Sequence, residues 1–124
     1  MSPEDIPADS WADRLEPNVV EFDADPVEHD VDVHDRERLV GEVRWALVEY
    51  GPGAGREGWC TEPHIGYLID GELEYVFENG RPPMHLSAGN GFALPELPGH
   101  AGRNHGSKPA RLFIIDALAP GARQ

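Results

Sequence analysis

The sequence predicts a single-domain, all-β protein, folded as an antiparallel sandwich or a small barrel. A chain of 124 residues suits one domain with one core. Short apolar or alternating runs recur about every 8–12 residues, between segments rich in glycine and proline. No segment between these runs has the length and periodicity of a helix, so the spacing excludes a parallel α/β fold.

The chain divides into an acidic N-terminal arm, residues 1–16, and a barrel domain, residues 17–120. The arm has one short helical signal, in which Ser10 caps a turn that carries Trp11 and Leu15 at spacing i, i+4. Eight strands are predicted in the domain, over residues 18–22, 27–33, 42–50, 64–69, 72–78, 84–86, 91–94 and 111–118.

The dipeptide Asp70-Gly71 is the strongest turn signal in the chain, because it lies between two apolar runs. It predicts a hairpin in which the strands on either side pair with each other. In the second strand, Leu73, Tyr75 and Phe77 alternate with mainly acidic residues, which is typical of a half-buried strand.

Ten basic and 23 acidic residues give a net charge of −13. This charge repels phosphate backbones and anionic membranes, so neither nucleic acid nor a membrane is an expected partner. Lys108 is the one lysine beside nine arginines, a balance that resembles proteins of salt-loving organisms. No apolar stretch has the length of a membrane helix and the start lacks signal-peptide features, so we expect a soluble, cytoplasmic protein.

The single cysteine, Cys60, cannot form an intramolecular disulfide and is either a small buried apolar residue, a free thiol or a metal ligand. The common catalytic motifs are absent from the sequence: it has no glycine-rich phosphate loop, no G-x-S-x-G and no HExxH.

Two segments carry a resemblance to a known family. They are GREGWCTEPHIGYLIDGELEYVFENG at residues 55–80 and AGNGFALPELPGHAGRN at residues 88–104. Together they resemble the two sequence motifs of the cupin family, and the similarity covers residues 51–118. The resemblance implies a cupin barrel, the double-stranded β-helix of jelly-roll type.

The motif positions can be assigned residue by residue. The first motif has an acidic ligand seven residues before a hairpin glycine, and here that position is His64 before Gly71. In the second motif, Gly89, Pro95, His100 and Asn104 stand at the family positions. The family's His-x-His pair is missing, and its two positions are Gly58 and Cys60, or Glu57 and Trp59 with the longer gap.

The resemblance implies that His64 and His100 face one cavity, where a divalent metal needs a third protein ligand. Cys60 is the best candidate because it stands at a family ligand position. Glu62 is an alternative that shares a strand face with His64, and Glu57 is a weaker one. A Cys/His/His set favours zinc, iron or nickel over magnesium, and manganese is kept as a further candidate.

The other histidines are given structural roles. His29 and His34, set among aspartates, are interpreted as part of a solvated edge strand, His85 as structural, and His105 as a loop residue at the barrel mouth. The aromatic residues at strand spacing are predicted to form core or cavity wall: Trp45, Tyr50, Tyr67, Tyr75 and Phe92.

The sequence therefore predicts a cupin that holds a divalent metal and a small polar organic ligand. If it is an enzyme, isomerase, lyase or dioxygenase chemistry fits such a site. The alternative is a metal-free cupin that binds or senses a metabolite, which the missing His-x-His pair favours. A homodimer is expected, formed through edge strands or by exchange of an N-terminal strand.

Overall fold

The computed structural model describes residues 16–40 and 43–117, and their regular structure is entirely β-strand. The nine strands are β1 (Val27–Asp30), β2 (Val33–Val40), β3 (Val43–Tyr50), β4 (His64–Asp70), β5 (Glu72–Phe77), β6 (Met84–Ser87), β7 (Gly91–Leu94), β8 (His100–Arg103) and β9 (Ala110–Ala117). No helix that could span a membrane occurs in these ranges. The predicted all-β class is confirmed.

The strands form two antiparallel sheets. The larger has six strands in the order β1-β2-β3-β9-β4-β7, and the smaller has three in the order β6-β5-β8. Strand β9 lies in the middle of the large sheet, paired with β3 on one side and β4 on the other. The inner faces of the two sheets enclose the core and, as described below, the candidate site.

The core follows from the alternation of side chains along each strand. On β3, Ala46, Val48 and Tyr50 are buried, and on β9 the alternate residues Leu112 and Ile114 are buried. The predicted alternation on β5 is confirmed as well. The buried apolar residues form one cluster, which includes Val33, Leu68, Leu73, Tyr75, Phe77, Leu86, Phe92 and Leu94.

Two predicted strands are wrong in extent or missing, and two strands of the structure were not predicted. Residues 18–22 do not form a strand. The run 27–33 is broken by a turn at Asp32, whose φ of 60° is a left-handed conformation that aspartate adopts more readily than most residues. After that turn the acidic segment continues as all of β2, and β8 occupies a stretch whose glycine and proline content predicted a loop.

The predicted hairpin at Asp70-Gly71 is wrong, although the turn is present. Strand β4 pairs with β7 and β9, whereas β5 pairs with β6 and β8, so the turn carries the chain from one sheet to the other. Gly71 has φ +82°, and a Cβ there would lie 2.5 Å from the Pro109 carbonyl oxygen. Glycine is thus required both by the backbone conformation and by this close approach.

The outer face of the large sheet is apolar along β4. Ile65, Tyr67 and Ile69 alternate outward and are 55%, 48% and 42% exposed. Tyr67 is therefore not core or cavity wall, which corrects that prediction. Its neighbour across the strand pair is Phe113, which packs edge to face against Trp45.

The N-terminal arm, residues 1–16, lies outside the described residues except for Glu16. Its extent, the helical turn at Trp11 and the end of the domain at residue 120 stay predictions.

The net charge of −13 predicts that salt stabilises the fold. Like charges at the surface repel each other in the compact state, and about 1 M salt reduces the screening length to roughly 3 Å. We expect the melting temperature to rise from low to molar KCl, followed by circular dichroism. A flat or falling melting temperature would contradict the interpretation of the acidic surface as an adaptation to salt.

Candidate metal site

His64 and His100 meet between the two sheets. His64 opens β4 in the large sheet and His100 opens β8 in the small sheet, and both side chains are directed into the space enclosed by them. Their ring centroids lie 4.8 Å apart at an interplanar angle of 90°. His64 has a side chain only 9% exposed, and His100 is 2% exposed. The structure therefore brings these two predicted residues together.

Cys60 is held beside His100 by the backbone. The Cys60 amide donates to the His100 carbonyl at 2.8 Å, and the His100 amide donates to the Cys60 carbonyl at 3.0 Å. This reciprocal pair fixes the loop before β4 against β8. One ligand atom from each of Cys60, His64 and His100 lies within 4.8 Å of the others. Closing them around one ion needs movements on the order of 1 Å, given metal bonds of about 2.0–2.3 Å.

The two imidazoles have ring nitrogens without hydrogen-bond partners. Nε2 of His64 and both nitrogens of His100 are buried and have no partner in the described part of the chain. Leaving such a polar atom buried and unpaired costs about 1–3 kcal/mol each, and a bound ion is one of the few explanations. Burial and the neighbouring His64 lower the pKa of His100 to about 4, with Asp116 opposing them. His100 is thus neutral at pH 7, the form that binds metals.

The three side chains open into a cavity of about 450 Å³. This volume is in the range of small-molecule sites. Tyr50 and Tyr75 line it, and burial raises the pKa of Tyr50 to about 12 and that of Tyr75 well above 10. Both phenols therefore stay protonated and can donate hydrogen bonds. Gly102, which also lines the cavity, leaves room for the Tyr50 hydroxyl, because a Cβ at that position would lie 2.5 Å from it.

A buried ionic cluster forms the wall behind His64. Arg44 binds Asp116 at 2.8 Å and Asp35 at 2.6 Å, and it also contacts Glu37. Asp116 Oδ1 lies 3.3 Å from His64 Nδ1. Burial acts to raise the pKa of Asp116, but His64 and Arg44 outweigh it and hold that pKa below its usual value. Two buried carboxylates against one guanidinium leave an excess negative charge, which favours a cation in the site.

Our sequence analysis missed this cluster. Arg44, Asp35 and Asp116 are far apart in sequence, and single charges on strands are common. The sequence signal for it was the two-residue period of the strands. Arg44 falls at the same alternate positions as the buried residues of β3, and Asp116 at the same alternate positions as those of β9. Charged residues on the apolar face of a central strand indicate a buried polar site.

The other candidate residues from the sequence differ in whether they line the cavity. Glu62 lines the cavity and Glu57 does not. His29 is exposed on the edge strand β1, as predicted, but it also lines the cavity and contacts buried Asp35 at 2.9 Å. His105 lies away from the cavity, and both it and His85 contact Glu74, at 3.5 and 3.3 Å.

A larger groove of about 570 Å³ on the molecule lacks the chemistry of this cavity. Of the charged groups that line it, Arg111 is paired with Asp70 at 2.7 Å and Asp35 with Arg44 at 2.6 Å. We therefore place the candidate site in the smaller cavity, where the unpaired imidazole nitrogens lie.

The lowered pKa of His100 predicts a pH-dependent stability for the metal-free protein. In the unfolded chain His100 takes up a proton near pH 6.5, and in the folded chain only near pH 4, so stability falls as the pH drops between these values. The contribution is at most about 3 kcal/mol. Urea unfolding in a chelator should show a smaller loss over this range for His100→Gln than for wild type. Equal losses would contradict the pKa.

Two antiparallel sheets that enclose a pair of buried histidines define a β-barrel protein, and the candidate site lies between the sheets. The sequence profile of the family described as Cupin domain matches residues 46–116, which is more than half of the chain. The chain belongs to the cupin family. The resemblance of the two sequence segments is thereby confirmed.

Individual relatives are similar over different extents. The chain is 39% identical over 56 residues to O-antigen chain mannosyltransferase B of Escherichia coli, a match that covers 45% of this chain and 13% of that protein. Among solved structures, it is similar to a Cupin 2 conserved barrel domain protein from Salinispora arenicola, with a TM-score of 0.67, 15% identity and coverage of 87% and 94% of the two chains.

A mutant of oxalate decarboxylase from Bacillus subtilis is similar as well, with a TM-score of 0.65 and 22% identity. That similarity covers 76% of this chain and 28% of the enzyme. At these identities the structural similarities show the fold.

Proposed function

We propose that this protein holds one divalent metal ion between Cys60, His64 and His100 and binds a small polar organic molecule beside it. The observation that carries the proposal is the set of buried, unpaired imidazole nitrogens next to the Cys60 thiol. Two imidazoles and a thiolate suit zinc, iron or nickel, and manganese is the remaining candidate. Three protein ligands leave an open coordination position, as in catalytic sites.

The cavity supports an oxygen-rich ligand. A metal bound there would polarise a carbonyl or carboxylate oxygen of that ligand. Protonated Tyr50 and Tyr75 can donate hydrogen bonds to the same molecule, and Arg56 lines the cavity with a guanidinium that pairs with Asp30 at 2.6 Å. The similarity to an enzyme named for oxalate, a small carboxylate, agrees with this ligand class.

Cobalt(II) tests the ligand set directly. A thiolate bound to cobalt(II) gives a charge-transfer absorption in the near ultraviolet, and tetrahedral cobalt gives strong visible bands. We expect both for wild type and loss of the charge-transfer band for Cys60→Ser, because a neutral hydroxyl is a poorer ligand than a thiolate. A near-ultraviolet spectrum that is identical in the two cobalt-loaded proteins would exclude sulfur and favour Glu62 as the third ligand.

The rival function is a metal-free cupin that binds or senses a metabolite. The absence of the family's His-x-His pair favours it, since Gly58 and Cys60 stand at those positions. In that case His64, His100 and the two tyrosines would hydrogen-bond the ligand themselves. A small carboxylate that binds equally well with and without a chelator, measured by calorimetry, would support the rival function over the metal site.

We also propose that two copies of the chain associate through the outer face of the large sheet. The exposed apolar side chains of Ile65, Tyr67 and Ile69 lie on one strand, and a contiguous apolar surface of this kind marks an interaction site. A two-fold contact would cover the same residues on both copies. Ile65→Lys should then yield a monomer in light scattering, whereas Val31→Lys, at an isolated residue 83% exposed, should not. A monomeric wild type would contradict this proposal.

A cytoplasmic location stays a prediction from the sequence.

A further inference from the structure

The guanidinium of Arg44 has a carboxylate at each of its three nitrogens. Nε contacts Glu37, Nη1 contacts Asp116 at 2.8 Å and Nη2 contacts Asp35 at 2.6 Å. The strands impose this arrangement, because Arg44 on β3 stands directly opposite Asp116 on β9. Because each nitrogen of this planar guanidinium is bound, the group cannot rotate freely, and it therefore fixes the positions of the three carboxylates.

Asp116 transmits this constraint to His64. Its Oδ2 is bound by Arg44, and its Oδ1 lies 3.3 Å from Nδ1 of His64. An ionised carboxylate can only accept hydrogen bonds, so this contact favours a single ring proton of His64 on Nδ1. The lone pair is then on Nε2, which is buried and has no hydrogen-bond partner in the part of the chain that the structure describes.

We propose that Arg44 and Asp116 are positioning residues that hold His64 in the tautomer with its proton on Nδ1, and so direct the Nε2 lone pair toward Cys60 and His100. Carboxylates behind metal-binding histidines orient the ring in this way and strengthen metal binding. The inference rests on the proposed metal site for its consequence, but the tautomer itself exists without a metal.

The second branch of the cluster gives an internal comparison. Asp35, held by the same guanidinium, lies 2.9 Å from Nε2 of His29. The same reasoning places the His29 proton on Nε2, which is the opposite tautomer. One spectrum of the wild-type protein should therefore show His64 and His29 in different tautomers.

The test is a long-range proton–nitrogen correlation spectrum of the metal-free, nitrogen-15-labelled protein at a pH where the rings are neutral. Six histidines make the spectrum assignable. We expect the proton of His64 on Nδ1 in wild type and a mixture of tautomers in Asp116→Ala. Zinc affinity should fall roughly 10–100-fold in Asp116→Ala, and by a smaller factor in Arg44→Lys, which keeps one charge but loses the fork.

Two controls separate positioning from folding. Glu74→Ala removes a carboxylate that contacts His85 and His105 away from the cavity, and should leave His64 and zinc affinity unchanged. Asp116→Asn keeps the shape of the side chain, but Arg44 can only donate and so takes its one amide oxygen, which turns the NH2 group toward Nδ1 and should move the ring proton of His64 to Nε2, even where Asp116→Ala is too unstable to study. Retention of the proton on Nδ1 in a folded Asp116→Asn protein would overturn the proposal.

A wild-type His64 with its proton on Nε2 would overturn the proposal outright. So would an Asp116→Ala protein with unchanged tautomer and zinc affinity. If wild type shows the expected tautomer but takes up none of zinc, iron(II), nickel and manganese, the metal proposal fails and the positioning role of Asp116 stands.

Discussion

Replacing His64 or His100 with alanine should lower zinc affinity by at least about 100-fold. The loss of a group that merely supports a metal ligand already costs roughly 10–100-fold, and each of these residues supplies a ligand to a set of three. The barrel should stay folded, since removing either imidazole also removes buried nitrogens that have no hydrogen-bond partner. Affinity is measured by competition with a zinc-binding dye, and folding by circular dichroism.

His34→Ala is the matched control for these variants. His34 contacts Glu28 at 3.2 Å and does not line the cavity, so zinc affinity should not change. Wild-type affinity in both His64→Ala and His100→Ala would show that zinc binds elsewhere on this acidic surface.

Asn104→Ala should destabilise the fold by about 3 kcal/mol or more. Asn104 is 1% exposed, and its amide nitrogen donates to the carbonyl oxygens of Tyr50, Gly51 and Lys108 at 3.1, 3.1 and 2.8 Å. Its side-chain oxygen accepts from the Gly106 amide at 2.9 Å. Alanine leaves these buried groups without partners, at about 1–3 kcal/mol each when no water replaces the side chain.

Urea unfolding measures this effect as a fall in the midpoint with an unchanged slope. Asn104→Asp should destabilise at least as much, because it directs a carboxylate at three carbonyl oxygens. Asn79→Ala provides the comparison: Asn79 accepts one hydrogen bond, from the Arg81 amide, in an exposed turn, and its loss should cost about 1 kcal/mol or less. Equal effects at Asn104 and Asn79 would refute the assigned role of Asn104.

Local pattern predicted the class of fold and most strands. The alternation on β5 and the apolar runs of β3, β4 and β9 carry strong signals, because each strand buries one face against the same core. Strand partners are less visible. The Asp70-Gly71 turn has ordinary hairpin chemistry, and the sequence does not show that the chain crosses between sheets there, since that depends on β9 and β7 pairing with β4.

The candidate site was predictable in part for a similar reason. The spacing to Gly71 and Pro95 identified His64 and His100 through the family resemblance, and the structure places them together with Cys60. The Arg44 cluster depends on the register between β3 and β9, which pairs residues 72 apart in sequence. His29 lies on the exposed edge strand that its acidic neighbours indicated, and the sequence did not show that its contact with Asp35 also places it among the residues that line the cavity.

The most direct test of the metal site is the metal content of the wild-type protein. The protein is purified without a histidine tag and incubated in turn with zinc, iron(II), nickel and manganese. Excess metal is then removed, and metal per chain is measured by elemental analysis. We predict about one ion per chain for at least one of these metals and much less than one for His64→Ala and His100→Ala. Wild-type protein that retains none of the four metals would contradict the metal site and leave His64 and His100 as the lining of a metal-free binding cavity.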